Sequence, residues 1–254
     1  MDLARRMLLL GGAVPERDYL PLDGVADRLY SDGALAGYTT QYAMVTKVAA
    51  TVNSGPDNYI SHLSVPGNTS PAGANLSDVC GRRRVGLQYY TIHGATAAAG
   101  GNYGRRSDTD ALVAVNTAAT YAVARDLTAN TARGRIIGSD GTIRWTFADQ
   151  AAAEDSAPED LIIGCATDHL FVPYAGTYYA IGWVATVLLK TVPTNAQLQA
   201  YAAGADARKA FGSDIVWYAT ASGLRGAGSG PILPLVGTAP LVSVGLVEAD
   251  LVAL

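Results

Sequence analysis

The amino-acid sequence predicts an all-β protein, built as two packed antiparallel sheets with one short helix late in the chain. Segments rich in Val, Ile, Thr and Tyr alternate with stretches rich in Gly, Pro, Asn and Ser. This alternation is typical of short strands joined by turns. Hydrophobic residues make up 49% of the 254 residues and charged residues only 16%, which supplies the core of one large sandwich domain.

The predicted strands follow one another along most of the chain. They cover residues 38–52, 85–92, 112–115, 120–125, 134–137, 142–147, 161–164 and 178–189. Residues 53–78 and 94–110 are rich in small and polar residues, so we predict long irregular loops there. Residues 149–160 are Ala-rich and acidic, and predict a loop with a helical turn.

Two short-range patterns predict specific local structures. Residues 138–141 read Gly-Ser-Asp-Gly between two alternating apolar segments, which predicts a hairpin turn. Thr194 is followed three residues later by Gln197, which is a capping box and predicts a helix over 194–203. Gly204 would end that helix. Its apolar face is predicted to consist of Leu198, Tyr201 and Ala202.

Charge and composition argue against two classes of partner. The formal net charge is −4, whereas a nucleic-acid-binding domain carries a basic patch or stripe. Residues 170–189 and 226–247 are uncharged and long enough to cross a bilayer. Prolines and glycines interrupt both spans, so we predict no membrane span. The acidic net charge likewise predicts no nucleic-acid partner.

Both ends of the chain are apolar and are predicted to need a packing partner. Residues 1–15 begin like a signal peptide but show no clear cleavage site, so we expect an arm that packs on the sandwich or on a neighbour. Residues 216–254 form a Pro-punctuated tail, which we expect along the sandwich or on another subunit. The only cysteines, Cys80 and Cys165, are expected to be small core residues, and a disulfide between them stays open.

Two motifs near the ends of the chain carry a resemblance to a known family. Residues 20–30 read LPLDGVADRLY, and residues 178–189 read YYAIGWVATVLL before the helix start PTNAQLQAY at 193–201. Together they resemble the opening and closing signatures of concanavalin A-like, laminin G-like jelly-roll domains. The resemblance implies an arm at 1–15, a jelly-roll sandwich at 16–215 and an extended C-terminal tail for assembly at 216–254.

The resemblance implies a virion structural protein as the first functional hypothesis. Such sandwiches recur in tailed phages and gene-transfer particles as head spikes, fibres, decoration or tail-tip proteins. The terminal segments would contact other virion proteins or copies of this chain, and the sandwich would contact host surface polysaccharide. The protein would then be assembled into a virion in the bacterial cytoplasm. The alternatives are a free-standing carbohydrate-binding module or lectin and, less favoured, a polysaccharide-cleaving enzyme.

The carboxylates and histidines argue against an enzyme. Glycoside hydrolases with this sandwich place two carboxylates on one face of a strand. Here Glu154-Asp155 and Glu159-Asp160 lie in an Ala- and Pro-rich segment instead. The three histidines show no metal-ligand spacing, so we predict neither catalysis nor a resident metal. A calcium ion remains an option, since Asp108 and Asp110 could supply part of an oxygen-ligand site.

Candidate glycan contacts lie in two segments that combine aromatic rings with planar polar groups. A sugar stacks its apolar face on a ring while amides, carboxylates and guanidinium groups bind its hydroxyls. Loops on a rigid scaffold are where such contacts tend to occur. The tryptophans at 145, 183 and 217 are instead predicted as core residues. The candidate glycan-binding residues are Asn58, Tyr59, His62, Asn102, Tyr103, Arg105 and Asp108.

Overall fold

A computed structural model gives the structure of the chain in separate ranges. It describes residues 20–23, 28–38, 40–51, 57–64, 76–83, 89–94, 102–103, 118–129, 131–151, 159–165, 181–218, 234, 236–239 and 242–244.

Fourteen strands are described, and they form two seven-stranded sheets in which every pair is antiparallel. The all-β sandwich predicted from the sequence is confirmed. The strands are β1 Leu20–Asp23, β2 Arg28–Ser31, β3 Gln41–Thr51, β4 Asp57–Ser64, β5 Leu76–Arg83, β6 Tyr89–Gly94, β7 Asn102–Tyr103, β8 Ala119–Asp126, β9 Thr131–Gly138, β10 Ile143–Ala151, β11 Asp160–Ile163, β12 Ile181–Leu189, β13 Ile215–Tyr218 and β14 Val242–Val244.

Sheet 1 has the order β1-β12-β3-β8-β9-β10, and β13 also pairs with β12. Strand β3 occupies one edge of β12 along nearly its whole length. Strands β1 and β13 therefore share the other edge, since β1 pairs with residues 181–184 and β13 with residues 187–189. The predicted hairpin at 138–141 joins β9 and β10 and is confirmed. Its Gly141 has φ +78°, a conformation that glycine adopts without a steric penalty.

Sheet 2 has the order β14-β2-β11-β4-β5-β6-β7. Strand β14 comes from the predicted C-terminal tail and pairs with β2, so Val242 lies opposite Tyr30. In addition, Val236 forms a bridge with Tyr218 of β13. The sandwich therefore extends beyond residue 215, and the described part of the tail packs within its own chain.

The main core lies between the two sheets because alternate residues of each strand point inward. Thr46 of β3 places a hydroxyl in this core, where its Oγ1 hydrogen-bonds to Ser61 Oγ of β4 and, at 3.2 Å, to Thr186 Oγ1 of β12. The bond to Ser61 links the two sheets directly, whereas the bond to Thr186 joins neighbouring strands of sheet 1. The core also contains Leu29, Tyr42, Met44, Val48, Leu63, Tyr121, Leu161, Leu188 and Trp217, all buried.

Two short helices cover part of the outer face of sheet 1. Helix α1, Asn195–Ala202, begins at the predicted capping box, because Thr194 Oγ1 accepts from Gln197 N and Gln197 Oε1 accepts from Thr194 N. The predicted face of Leu198, Tyr201 and Ala202 is buried. Lys47 of β3 anchors the helix to the sheet, since its Nζ donates to Tyr201 O at 3.0 Å and lies 5.1 Å from the Tyr201 ring centre.

Several local predictions were wrong. The sequence predicts one late helix, but a second helix, α2 at Ala207–Phe211, follows with Asp206 Oδ1 accepting from Arg208 N. Strand β4 lies within the predicted 53–78 loop and β5 begins in it, β7 lies within the predicted 94–110 loop, and β10 continues to Ala151. Pairing with neighbouring strands overrides the weak local preference of these segments. The strand predicted at 112–115 falls outside the described residues. Within the described ranges no helix is long and apolar enough to cross a membrane.

Candidate functional site

A pocket of about 130 Å³ opens on the outer face of sheet 1, beside the helices. Strand register brings its polar residues together. Gln41 of β3 lies opposite Asp126 of β8, and Asp126 lies opposite Thr131 of β9. Three neighbouring strands thus place an amide, a carboxylate and a hydroxyl in one row across the sheet. The complete lining is Gln41, Ala124, Asp126, Thr131, Arg133 and Val192.

The pocket is concave because small residues lie beside long ones. Ala124 is buried and lies opposite Ala43 on one side and Arg133 on the other. Alternation along β3 places Gln41 on the same face as Ala43 and Val45, which pack in the core cluster that includes α1 and α2. The alanine therefore leaves a depression that the longer polar side chains surround.

The Asp126 carboxylate is held by both of its oxygens. Gln41 Nε2 donates to Asp126 Oδ2 at 2.6 Å, and the backbone N–H of Ala129 donates to Asp126 Oδ1 at 2.9 Å. The turn that carries Ala129 is itself tied to β3, because Leu127 N donates to Thr40 O at 2.8 Å. An ionised carboxylate offers about four acceptor positions, so Asp126 retains acceptor capacity beyond these two bonds.

Two of the sequence-predicted aromatic residues, Tyr59 and Tyr103, lie far apart on sheet 2. Tyr59 lies opposite Gly81 in β5, whereas Tyr103 of β7 lies opposite His93 in β6. His93 aligns through β5 with Leu63 of β4. The two tyrosine backbones are thus three strands and four residues apart, which is roughly 20 Å from the standard strand spacings. One monosaccharide is too small to contact both positions.

The remaining predicted contacts are only partly described. Asn58 lies next to Tyr59 in β4, and Asn102 next to Tyr103 in β7. The structure describes the backbone of these four residues. Arg105 and Asp108 fall outside the described residues. All of these residues stay predictions as glycan contacts.

His62 is a correction to the predicted glycan contacts. It lies in the middle of sheet 2, opposite Ile162 of β11 and Val79 of β5. Its side chain is 0% exposed in this chain. A side chain that binds a sugar hydroxyl must reach the surface, and this burial contradicts the prediction that His62 is a surface contact.

The acidic pair at 159–160 belongs to the packing of a turn. Asp160 is the first residue of β11, and its Oδ1 accepts from Gly33 N at 2.9 Å. The pKa of Asp160 is raised from 3.8 to about 6, chiefly by burial and also by the charges of Asp32 and Glu159, while the Gly33 bond opposes the shift. The backbone of Asp160 pairs with Ser64 of β4, and its carboxylate orders the turn at residue 33. Glu154 and Asp155 fall outside the described residues.

The remaining candidate groups are the residues that could bind a metal ion and the two cysteines. In the ranges that the structure describes, no group of three or more His, Cys, Asp or Glu residues could hold a metal ion. The calcium option at Asp108 and Asp110 falls outside those ranges and stays untested. Cys165 is a free, buried thiol, so the Cys80–Cys165 disulfide is absent. Burial raises its pKa to about 12, and the nearby charge of Arg28 opposes that shift.

Sequence reasoning did not find the pocket residues. Gln41 and Arg133 look like ordinary polar positions at the ends of amphipathic strands. The short turn between Asp126 and Thr131 is a local pattern that could have indicated two of them. The pairing of Gln41 with Asp126 joins residues 85 apart in the chain, and nothing in the sequence indicates it.

Comparison with known proteins gives a fold and no family assignment. No family model matches the chain, and no curated protein matches it. The solved structures that match include a proposed carbohydrate-binding protein from Bacteroides ovatus, with a TM-score of 0.56 and 13% identity over 90% of this chain. This chain spans 60% of the length of that protein.

Two more of the structures that match come from a pentraxin and from a sialidase. The heptameric SAP-like pentraxin from Limulus polyphemus has a TM-score of 0.50 and 9% identity, over 91% of this chain and 96% of the pentraxin. The CBM40 module of the Ruminococcus gnavus IT-sialidase, bound to α2,3-sialyllactose, has a TM-score of 0.49 and 15% identity, over 73% of this chain and 96% of the module. The first two of these three matches, with TM-scores of 0.56 and 0.50, support the jelly-roll sandwich fold that the sequence predicts.

Proposed function

We propose that this chain is a carbohydrate-binding module, a sandwich that binds glycan without cleaving it. The observation that carries the proposal is the fold shared over 90% of the chain with a proposed carbohydrate-binding protein. One fold hosts many functions, so the site must supply the chemistry. The half-buried polar groups that line the pocket on the outer face of sheet 1 are of the kinds that bind sugar hydroxyls.

Binding to a polysaccharide panel tests this proposal. The full chain is mixed with insoluble and immobilised polysaccharides, and the bound fraction is measured against chain concentration. We expect saturable retention on at least one polysaccharide and no increase in reducing ends during the incubation. Absence of retention on the whole panel would overturn carbohydrate binding, and release of reducing ends by the purified chain would overturn the non-catalytic assignment.

The finer proposal is that the glycan is a host surface polysaccharide and that the protein belongs to a virion. It is supported by the resemblance in the two terminal motifs and by the apolar sequence at residues 1–15, together with the parts of the apolar tail other than 236–239 and 242–244, which pack within the chain. Assembly through these segments predicts a mass above one chain. Light scattering of the full-length chain measures it, and a mass of one chain, 26.3 kDa, across the concentration range contradicts assembly through copies of itself.

Tyr59 and Tyr103 are proposed as alternative stacking rings on sheet 2. Tyr59→Ala and Tyr103→Ala should each weaken retention on the bound polysaccharide, because stacking of a sugar on the ring is lost. Tyr59→Phe and Tyr103→Phe are the matched controls, since they keep the ring. Equal retention by the double alanine variant and the wild type would remove both rings from the site.

A further inference from the structure

We infer that the pocket on sheet 1 binds a neutral sugar ring through two neighbouring hydroxyls. The inference rests on the proposed function and names the ligand class and the place where it is held. The pocket lies on the face of sheet 1 that carries the helices. None of the glycan-binding residues predicted from the sequence lines it.

The charges of the lining favour a neutral ligand. Asp126 contributes one negative charge, and Arg133 contributes one positive charge. Because these two charges are opposite and lie in one pocket, an ionic ligand gains no net electrostatic attraction there. A pair of sugar hydroxyls is neutral and both donates and accepts, so it can bond to both kinds of group at once.

The acceptor side of the pocket is ordered in advance. Asp126 is fixed by Gln41 and by the Ala129 N–H, and the turn carrying Ala129 is tied to β3. A carboxylate held in this way pays little ordering entropy when a ligand hydroxyl donates to it. A hydrogen bond to a charged group is also stronger than one between neutral groups.

The other walls complete the match. The Thr131 hydroxyl and the Arg133 guanidinium supply donors, while Ala124 and Val192 offer apolar surface to the C–H groups of a sugar. The volume of about 130 Å³ is several times what one ordered water needs, yet it is below the usual range for a drug-sized ligand. The pocket therefore has room for part of one sugar unit, and the rest of the polysaccharide would lie in solvent.

The test uses the full chain and three neutral probes, the methyl glycosides of glucose, galactose and mannose. Titrations followed by amide NMR give a dissociation constant and show which residues respond. We expect at least one neutral glycoside to bind, with the largest amide shifts at residues 41, 124–133 and 192. Glucuronic acid and N-acetylneuraminic acid should bind the same residues at least tenfold more weakly.

Three variants locate the site. Thr131→Val removes one hydroxyl at constant shape, and Arg133→Gln removes the guanidinium; each should weaken the neutral glycoside at least tenfold. Arg208→Gln is the matched control, because Arg208 is exposed on α2, outside the pocket lining, and the change should alter binding less than twofold. If Arg133→Gln lowers the melting temperature, its weaker binding could come from lost stability. The isosteric Thr131→Val variant then decides whether the pocket binds the glycoside.

Each outcome separates the inference from the proposed function. Binding that is unchanged in both pocket variants, or amide shifts confined to sheet 2, overturns the pocket and leaves carbohydrate binding in place. Tighter binding of an acidic sugar overturns the neutral ligand class. If neither the glycosides nor the polysaccharide panel bind, the proposed function fails and the pocket assignment fails with it.

Discussion

The hydroxyls of Thr46 and Ser61 hydrogen-bond to each other across the interior of the sandwich, one from each sheet. Both side chains are 0% exposed. Buried hydroxyls are tolerated only when they are paired, because an unpaired one loses its bonds to water without replacement. This pair therefore favours the arrangement of the two sheets in which the two hydroxyls meet.

Removing one partner of this pair should cost more than removing both. Thr46→Val leaves Ser61 Oγ buried without this bond, and we expect a loss of about 1–3 kcal/mol in the free energy of unfolding. Ser61→Ala should cost a similar amount, and the double variant less than the sum of the two. Urea denaturation of the wild type, the two single variants and the double variant gives the coupling free energy between the two hydroxyls. Strictly additive losses would show that the two hydroxyls do not interact in solution.

Gly237 tests the packing of the C-terminal segment against β13. A Cβ at this glycine would lie 2.6 Å from the backbone oxygen of Val216, and φ is +101°. Gly204 has a similar φ of +106° but open space around it. Gly204→Ala therefore measures the cost of the conformation alone, about 1–2 kcal/mol. We expect Gly237→Ala to lower stability by clearly more, and equal losses would mean that residue 237 is not packed on β13.

Asp160 should make stability fall as the pH rises from about 4 to about 6. Its pKa in the folded chain is raised from 3.8 to about 6, chiefly by burial. In that window the folded chain still holds a proton that the unfolded chain has released, so raising the pH favours unfolding. The melting temperature of the wild type should decline across the window and level off above it.

Asp160→Asn should remove this decline, since the amide is neutral throughout and its oxygen can still accept from Gly33 N. Asp32→Asn is the informative control, because the Asp32 charge contributes to the raised pKa of Asp160. Loss of that charge should narrow the pH range over which the melting temperature declines. Melting curves between pH 4 and pH 8 measure all three chains. A decline of the same size in Asp160→Asn would assign the pH dependence to another group.

Cys165 should resist alkylation while the chain is folded. The thiol is 0% exposed, and burial raises its pKa to about 12, so almost no thiolate forms at pH 8. Iodoacetamide labelling followed by peptide mass spectrometry should find Cys165 unmodified in the native chain and modified in guanidinium chloride. Rapid labelling of the native chain, or a peptide that links Cys165 to Cys80, would contradict the buried free thiol.

Local patterns in the sequence were sufficient for part of this fold. The capping box at Thr194 and Gln197 and the turn at 138–141 involve residues within a few positions of each other. Their hydrogen bonds form inside one short segment, so propensity and spacing decide them. The alternation of apolar residues likewise indicated the strands β3, β8 and β12, which are long and lie at the centre of sheet 1.

Residues 57–64 show where local reasoning fails. Their Asn and Ser content predicts a loop, yet they form β4 between β11 and β5. Backbone groups buried in a sheet must be paired, and two neighbouring strands supply the partners whatever the local preference is. His62 in this strand is buried, although the sequence presents it as a surface residue.

The sequence by itself determined the fold class, the start and buried face of α1, and the turn between β9 and β10, because each depends on contacts close in the chain. Only the tertiary structure decided the pocket and the place of the tail. Gln41 meets Asp126 across 85 residues, and Ser31 Oγ donates to Ala239 O across 208 residues. Such contacts depend on which strands become neighbours, and that choice is made by burial of the whole core at once.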